Sequence, residues 1–256
     1  MSESSAPAYA NVRYDYAGSH VLVTGGTAGI GRGIAGAYRA AGANVTITGT
    51  RATAADYDED LSGYRYLQLS LTDDAGIERV AAALPRLDIL VNNAGANYMM
   101  EDEYRPDVFE RSLRVNLTSA YRMAHACHPH LKQSQLPAGG SVIGLASLTS
   151  FFGVEVVPGY GAAKGGLVQL TKTLAIHWAK DRIRVNAVAA GLIESRMTGP
   201  MMGMPDMMRP FFERTPLGRV GQPSEIAGAV LYLTSGAAGF VTGTTLTVDG
   251  GYSVMG

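Results

Sequence analysis

Short apolar runs rich in β-branched residues alternate along this chain with longer segments of helical length. The runs are Val21–Val23, Val45–Thr48, Tyr66–Leu69, Ile89–Val91, Ser141–Leu145, Arg184–Val188 and Thr245–Val248. The segments between them include Gly31–Ala41, Asp73–Leu84, Ser112–Leu131, Tyr160–Lys180 and Ser224–Thr234. Near-continuous apolar strands separated by helices mean a parallel sheet covered on both faces. With right-handed crossovers, the pattern predicts an α/β fold in three layers, a doubly wound seven-stranded parallel sheet. No proline- or glycine-rich linker divides the pattern and no internal repeat is found. Residues 14–256 therefore read as one domain behind a loose arm, residues 1–13, of Ser, Ala, Pro and Asn.

Composition narrows the function. With 46% hydrophobic and 17% charged residues, the 256-residue chain can bury a core. A net charge of −1 offers no basic surplus for nucleic acid or anionic lipid. Cys127 is the single cysteine, which leaves no intrachain disulfide and no cysteine-rich metal site. The first twenty residues have no apolar leader, and no later run is long enough to span a bilayer. The expectation is a soluble, cytoplasmic protein without a metal.

Two features carry chemistry. The run Val21-Leu22-Val23 leads into Thr24-Gly25-Gly26-Thr27-Ala28-Gly29-Ile30-Gly31 and then a helix. Glycines there permit a tight turn and let a pyrophosphate approach a helix N-terminus, whose dipole favours negative charge. The spacing is G-x-x-x-G-x-G, and by itself it also fits a plain strand-to-helix loop. Further on, Tyr160 and Lys164 lie four apart on a helix and point the same way. A phenol with a pKa of about 10 transfers protons poorly at neutral pH. A neighbouring ammonium is expected to lower it into a useful range.

From about Tyr16 to the end, the chain resembles the short-chain dehydrogenase/reductase family. The resemblance rests on the T-G-x-x-x-G-I-G turn, Asn92-Asn93-Ala94-Gly95, Asn116 in Val115-Asn116-Leu117, Ser147, and Tyr160-Gly-Ala-Ala-Lys164. It continues through Ile183-Arg184-Val185-Asn186, Pro216-Leu217-Gly218-Arg219 and Val248-Asp249-Gly250-Gly251. It implies a Rossmann-like fold and a catalytic set of Asn116, Ser147, Tyr160 and Lys164. Tyr160 would be the acid in ketone reduction and the base in alcohol oxidation. Lys164 would tune the phenol and bind the nicotinamide ribose, and Ser147 would hydrogen-bond the reacting oxygen. Asn116 would hold a water linking Lys164 to solvent. The cofactor would be held by Gly25, Thr27, Ala28, Gly29, Ile30, Gly31, Gly49, Thr50, Arg51, Ser70, Leu71, Asn93, Ala94, Gly95, Gly191, Ile193 and Ser195, together with Tyr160 and Lys164. Asn92 to Gly95 are expected to prop the sheet and line the adenosine ribose.

Three departures stand out. Ala190 replaces the family's usual proline, which predicts a less rigid loop carrying Ile193 and Ser195 to the nicotinamide. Ser70 replaces an aspartate, weakening a contact to adenine. Ala146 replaces a common serine and leaves Ser147 intact.

At the end of the second strand an acidic residue would accept the ribose hydroxyls of NAD and repel a 2′-phosphate. Gly49 stands there, followed by Thr50 and Arg51, which can bind a phosphate. NADP(H) is therefore favoured over NAD(H), against the counter-signal of Ala28, where many NADP-dependent relatives are basic. Met197, Met201, Met202, Met204, Met207 and Met208, with Phe211 and Phe212, fall in the family's substrate lid, about 192–215. With Tyr98, Met99, Met100, Phe151 and Phe152 they suggest a roomy apolar pocket. Arg196 and Arg209 are the only cations near it. The expected substrate is a bulky hydrophobic or aromatic ketone or its secondary alcohol. A 3-oxoacyl thioester reductase and a non-catalytic nucleotide-sensing or scaffolding protein are the alternatives. A homotetramer is expected, through the helix 160–180 and the C-terminal strand.

Overall fold

A computed structural model describes residues 11–195, 198, 199 and 204–255. Seven strands, all parallel, form one sheet: β1 His20–Val23, β2 Asn44–Gly49, β3 Arg65–Gln68, β4 Ile89–Asn92, β5 Gly140–Ser147, β6 Ile183–Ala190 and β7 Thr245–Val248. Their order across the sheet is β3-β2-β1-β4-β5-β6-β7. This is the doubly wound, three-layer arrangement expected from the alternating pattern. Chain direction across the sheet reverses between β1 and β4, the place where such sheets open a crevice at their strand ends.

Alternate residues of one strand face opposite layers. Val21 and Val23 pack with Ile34 and Tyr38 of α1 (Gly29–Ala40) and with Val230 and Leu231 of a later helix, Pro223–Thr234. Leu22, between them, packs with Ile77 of α2 (Asp74–Ala83) and with Met123 and Cys127 of α4 (Ser119–Leu131). α3 is Pro106–Leu113, α5 Pro158–Trp178, α6 Pro205–Arg214 and α7 the Pro223–Thr234 helix. Leu22, Ile34, Ile77 and Met123 are fully buried, each contributing about 1.5–3 kcal/mol. The phenols of Tyr16 and Tyr38 share the Thr234 hydroxyl at 2.7 Å each, which satisfies three buried polar groups at once.

One boundary differs from expectation. The segment Ser112–Leu131 is not one regular helix. α3 begins six residues earlier at Pro106, and a π-turn at Arg114–Thr118 separates it from α4. The Asn116 side chain donates to Ser112 O at 3.0 Å, taking a carbonyl the regular helix would use. The loop after β6, which Ala190 enters, is tied to the segment before α7. Ile193 pairs with Gly221 in a β-bridge, and Gly221 N–H donates to Leu192 O while Glu194 N–H donates to Gly221 O, both at 2.9 Å. Residues 1–10 of the arm lie outside the described residues, as do Arg196, Met197, Met201 and Met202 of the lid.

Candidate active site

The strand ends open into a cleft of about 1000 Å³. Every residue that the resemblance assigns to the cofactor lines it, from the glycine turn through Gly49, Ser70 and Asn93 to Gly191 and Ser195. All these positions follow the C-terminal ends of β1 to β6, which is why residues scattered over 170 positions meet. Arg51 and Lys164 are the only charged residues among those described lining the cleft, and no carboxylate accompanies them.

The glycine turn is built for close approach. Gly25 and Gly29 have φ of +64° and +53°, in the left-handed region that other residues avoid. A Cβ on Gly31 would fall 2.2 Å from Gly25 O and 2.4 Å from Asn93 Nδ2. The start of α1 has neither a side-chain cap nor an acidic residue in its first turn, so its free N–H groups are open to an anion. β4 braces the turn. Asn93 Nδ2 donates to Thr24 O at 2.9 Å, and Thr24 Oγ1 accepts from the N–H of Asn93 and of Ala94 at 3.0 Å. Asn93 thus props the turn, as expected of this segment. Ser195 Oγ meets Thr198 Oγ1 at 3.1 Å, and its Cβ stands close to Gly29, so this loop closes over the turn.

At the other end Ser147, Tyr160 and Lys164 converge. β5 carries Ser147 to its last position, opposite Ala190 of β6, and α5 presents Tyr160 and Lys164 one turn apart. Lys164 is buried and donates to Leu145 O at 2.6 Å, with no other hydrogen bond of this ammonium among the described residues. Its Nζ lies 5.4 Å from the centre of the Tyr160 ring. Burial pushes the lysine down to about 8. Burial also pushes the Tyr160 phenol up to about 12; the Ser147 hydroxyl beside it acts to lower it and Glu103 to raise it.

In the ligand-free chain burial, rather than the Lys164 charge, sets the direction of the Tyr160 shift. The i, i+4 spacing places the ammonium over the ring and on a backbone carbonyl, and desolvation of both groups dominates. At neutral pH the phenol of the ligand-free protein holds its proton.

Asn116 is the fourth residue of the expected set. It does not line the cleft. Its side chain clamps Ala96, donating to Ala96 O at 2.7 Å and accepting from Ala96 N–H at 3.1 Å. The side-chain amide is spent on backbone and holds the Gly95–Ala96 segment in place. A Cβ on Gly95 would sit 2.6 Å from Asn116 Oδ1 and 3.7 Å from Lys164 Nζ, so the segment is still packed against the lysine.

Reading by motif missed two residues. Glu103 is fully buried and accepts from Tyr98 N–H at 2.8 Å and from Tyr160 N–H at 2.7 Å. It caps the start of α5 at the tyrosine itself. An acidic residue shortly before a helix was its only signal. Tyr57 lines the cleft beside Gly49 and Arg51 and had no signal.

Tyr98, Met99, Val154, Val156, Val157 and Leu192 also line the cleft, with the uncharged polar residues Asn97 and Thr149. Met100 and Phe151 face solvent and Phe152 packs near Tyr252, so these three expected pocket residues do not line it. Of the lid, Met208 is buried, Met204 and Arg209 are exposed, and Phe211 stacks on Tyr252 with ring centres 4.8 Å apart.

A family model described as enoyl-(acyl carrier protein) reductase matches residues 25–253. A tropinone reductase homolog of Arabidopsis thaliana is 33% identical over 255 residues, spanning 95% of this chain and 96% of the relative. A 3α-hydroxysteroid dehydrogenase of Mediterraneibacter gnavus is 35% identical over 242 residues, spanning 90% and 94%. Among solved structures, a complex of Pseudomonas aeruginosa RhlG with NADP superposes with a TM-score of 0.84 at 33% identity, covering 93% of this chain and 97% of that one. The fold and the converging serine, tyrosine and lysine are those of a nicotinamide-dependent oxidoreductase of the Rossmann type. The chain belongs to the short-chain dehydrogenase/reductase family. Among the described residues, no helix is long and apolar enough to cross a membrane.

Proposed function

We propose that the protein is an NADP(H)-dependent carbonyl reductase and alcohol dehydrogenase acting on a bulky, neutral ketone or its secondary alcohol. The observation that carries this reading is the meeting of Ser147, Tyr160 and Lys164 at the end of a cleft lined by the glycine turn. The cleft fits a dinucleotide: its turn admits no Cβ at Gly31, the α1 N-terminus is uncapped, and the charged residues among those described lining it are cationic. When bound, the reduced cofactor supplies the hydride.

The chain's own residues do the rest. Reduction adds a hydride to the carbonyl carbon and a proton to its oxygen, and Tyr160 donates that proton. Burial keeps the phenol in its acid form at neutral pH, so it carries the proton that reduction consumes. Ser147 donates a hydrogen bond to the reacting oxygen and stabilises the charge that develops there. Lys164, anchored on Leu145 O, keeps its remaining N–H groups for the ribose hydroxyls. Asn116 and Glu103 hold the flanking backbone. Lys164 is the one cation among the described residues at this end of the cleft, and Val154, Val156 and Val157 beside it suit a neutral hydrophobic substrate rather than a phosphorylated one.

Gly49, Thr50 and Arg51 support NADP(H) over NAD(H), and relatives of this fold bind NADP. The test is purified protein with NADPH and a panel of bulky ketones, small polar ketones and 3-oxoacyl thioesters, followed at the nicotinamide absorbance. Bulky ketones should give the highest kcat/KM, and Tyr160→Phe should abolish turnover while cofactor binding survives. Appreciable activity in that variant would remove Tyr160 from the mechanism.

A further inference from the structure

The place an acidic side chain would take at the end of β2 is already filled. A Cβ built on Gly49 would lie 2.3 Å from the Tyr57 hydroxyl oxygen and 2.8 Å from Thr27 Cγ2. Tyr57 follows the short turn Ala54–Asp56, and its ring packs against Tyr66 of β3 with centres 5.9 Å apart. The Arg51 guanidinium lies over the same ring, 4.8 Å from its centre, and forms no ion pair among the described residues.

The hydrogen bonds commit the Tyr57 proton only weakly. The Tyr57 oxygen accepts from Arg51 N–H at 3.0 Å. Tyr66 gives its own proton to Arg51 O at 2.5 Å. The remaining Tyr57–Tyr66 contact, at 3.5 Å, must therefore use the Tyr57 proton, and it sits at the outer edge of a hydrogen bond. A phenol that is already an acceptor for backbone and keeps its proton for the cleft is suited to an acceptor ligand. Ribose hydroxyls of NAD look for an acceptor carboxylate here; a 2′-phosphate brings only acceptor oxygens.

We infer that Tyr57 is a specificity-determining residue, whose hydroxyl donates to the 2′-phosphate on the adenosine ribose beside Arg51. This rests on the reading of the cleft as an NADP(H) site. It explains why glycine stands at position 49, since any side chain there would displace the phenol. The surrounding groups agree. Burial acts to raise the Tyr57 phenol, yet hydrogen bonds from Tyr66, the Arg51 backbone, Thr50 and Thr27 outweigh it and leave it below its ordinary value, a stronger donor.

The experiment needs no turnover. Calorimetry on the full chain measures binding of adenosine 2′,5′-bisphosphate and of adenosine 5′-monophosphate to wild type and Tyr57→Phe. The variant keeps the ring that packs on Tyr66 and under Arg51, and its thermal midpoint reports that the fold is retained. Wild type should prefer the bisphosphate. Tyr57→Phe should bind the bisphosphate about tenfold more weakly, the loss of one hydrogen bond to a charged group, with the monophosphate changed less than twofold. If wild type prefers the bisphosphate and Tyr57→Phe is unchanged or binds it more tightly, the Tyr57 assignment is overturned and the NADP(H) reading stands. If wild type prefers the monophosphate, both are overturned.

Discussion

Lys164→Met is expected to make the ligand-free protein more stable while destroying its activity. In the folded chain burial holds this lysine at about 8, against 10.5 for a free one. At about 1.4 kcal/mol per pH unit, keeping it charged costs the fold about 3 kcal/mol at pH 7. The sign follows from proton counts. Below pH 8 both states carry the proton and the cost is fully present. Between 8 and 10.5 the unfolded chain binds a proton the folded one has released, so stability rises with pH and the cost disappears. Methionine fills much of the lysine stem's space without a charge. It also leaves Leu145 O without its donor, a loss of about 1 kcal/mol. The variant should thus be about 2 kcal/mol more stable than wild type at pH 7, and about equal to it at pH 10. Urea unfolding of both proteins, ligand-free and at one protein concentration, measures the difference at each pH. A difference that stays constant from pH 7 to pH 10 would refute the reasoning, as would a variant less stable at pH 7. A functional group that strains its own fold is a familiar trade-off between stability and activity.

Glu103→Gln should lower stability by about 1–3 kcal/mol, because one buried backbone N–H would face an amide NH2 instead of a carboxylate oxygen. Loss of the negative charge should also move the ionisation of Tyr160 to lower pH, read as a shift of the pH profile for alcohol oxidation; an unmoved profile would leave Glu103 a purely structural cap. Gly49→Asp should move the ratio of kcat/KM for NADPH over NADH at least tenfold toward NADH, from repulsion of the 2′-phosphate together with displacement of Tyr57. Wild-type preference for NADH would defeat that argument at its first step. A homotetramer is expected in light scattering at micromolar concentration, and a monomeric mass would reject it. Exposed Tyr121 and Ile176, on α4 and α5, support such an assembly. Leu167 and Leu174, also on α5, pack inside the subunit.

By itself the sequence determined the layer architecture, since seven apolar runs separated by helix-length segments leave a parallel sheet covered on both faces as the economical way to bury them. It also determined which residues meet at the strand ends. Glycines at 25, 29 and 31 and the pair Tyr160 and Lys164 are local in origin: a turn requiring positive φ and a helix repeat are both written in adjacent residues. What local spacing cannot express is the solvent around a group. Whether Lys164 lowers the Tyr160 phenol, or burial shifts both, depends on how deeply the packed elements bury the two groups. Whether Asn116 is free or spent on Ala96 depended on a π-turn that places it against the segment after β4. Glu103 and Tyr57 became visible only in three dimensions, because each is defined by a partner from another element: the start of α5 for one, the end of β2 for the other. Desolvation and donor–acceptor pairing between distant segments are properties of the packed chain, and they decided how this site is tuned.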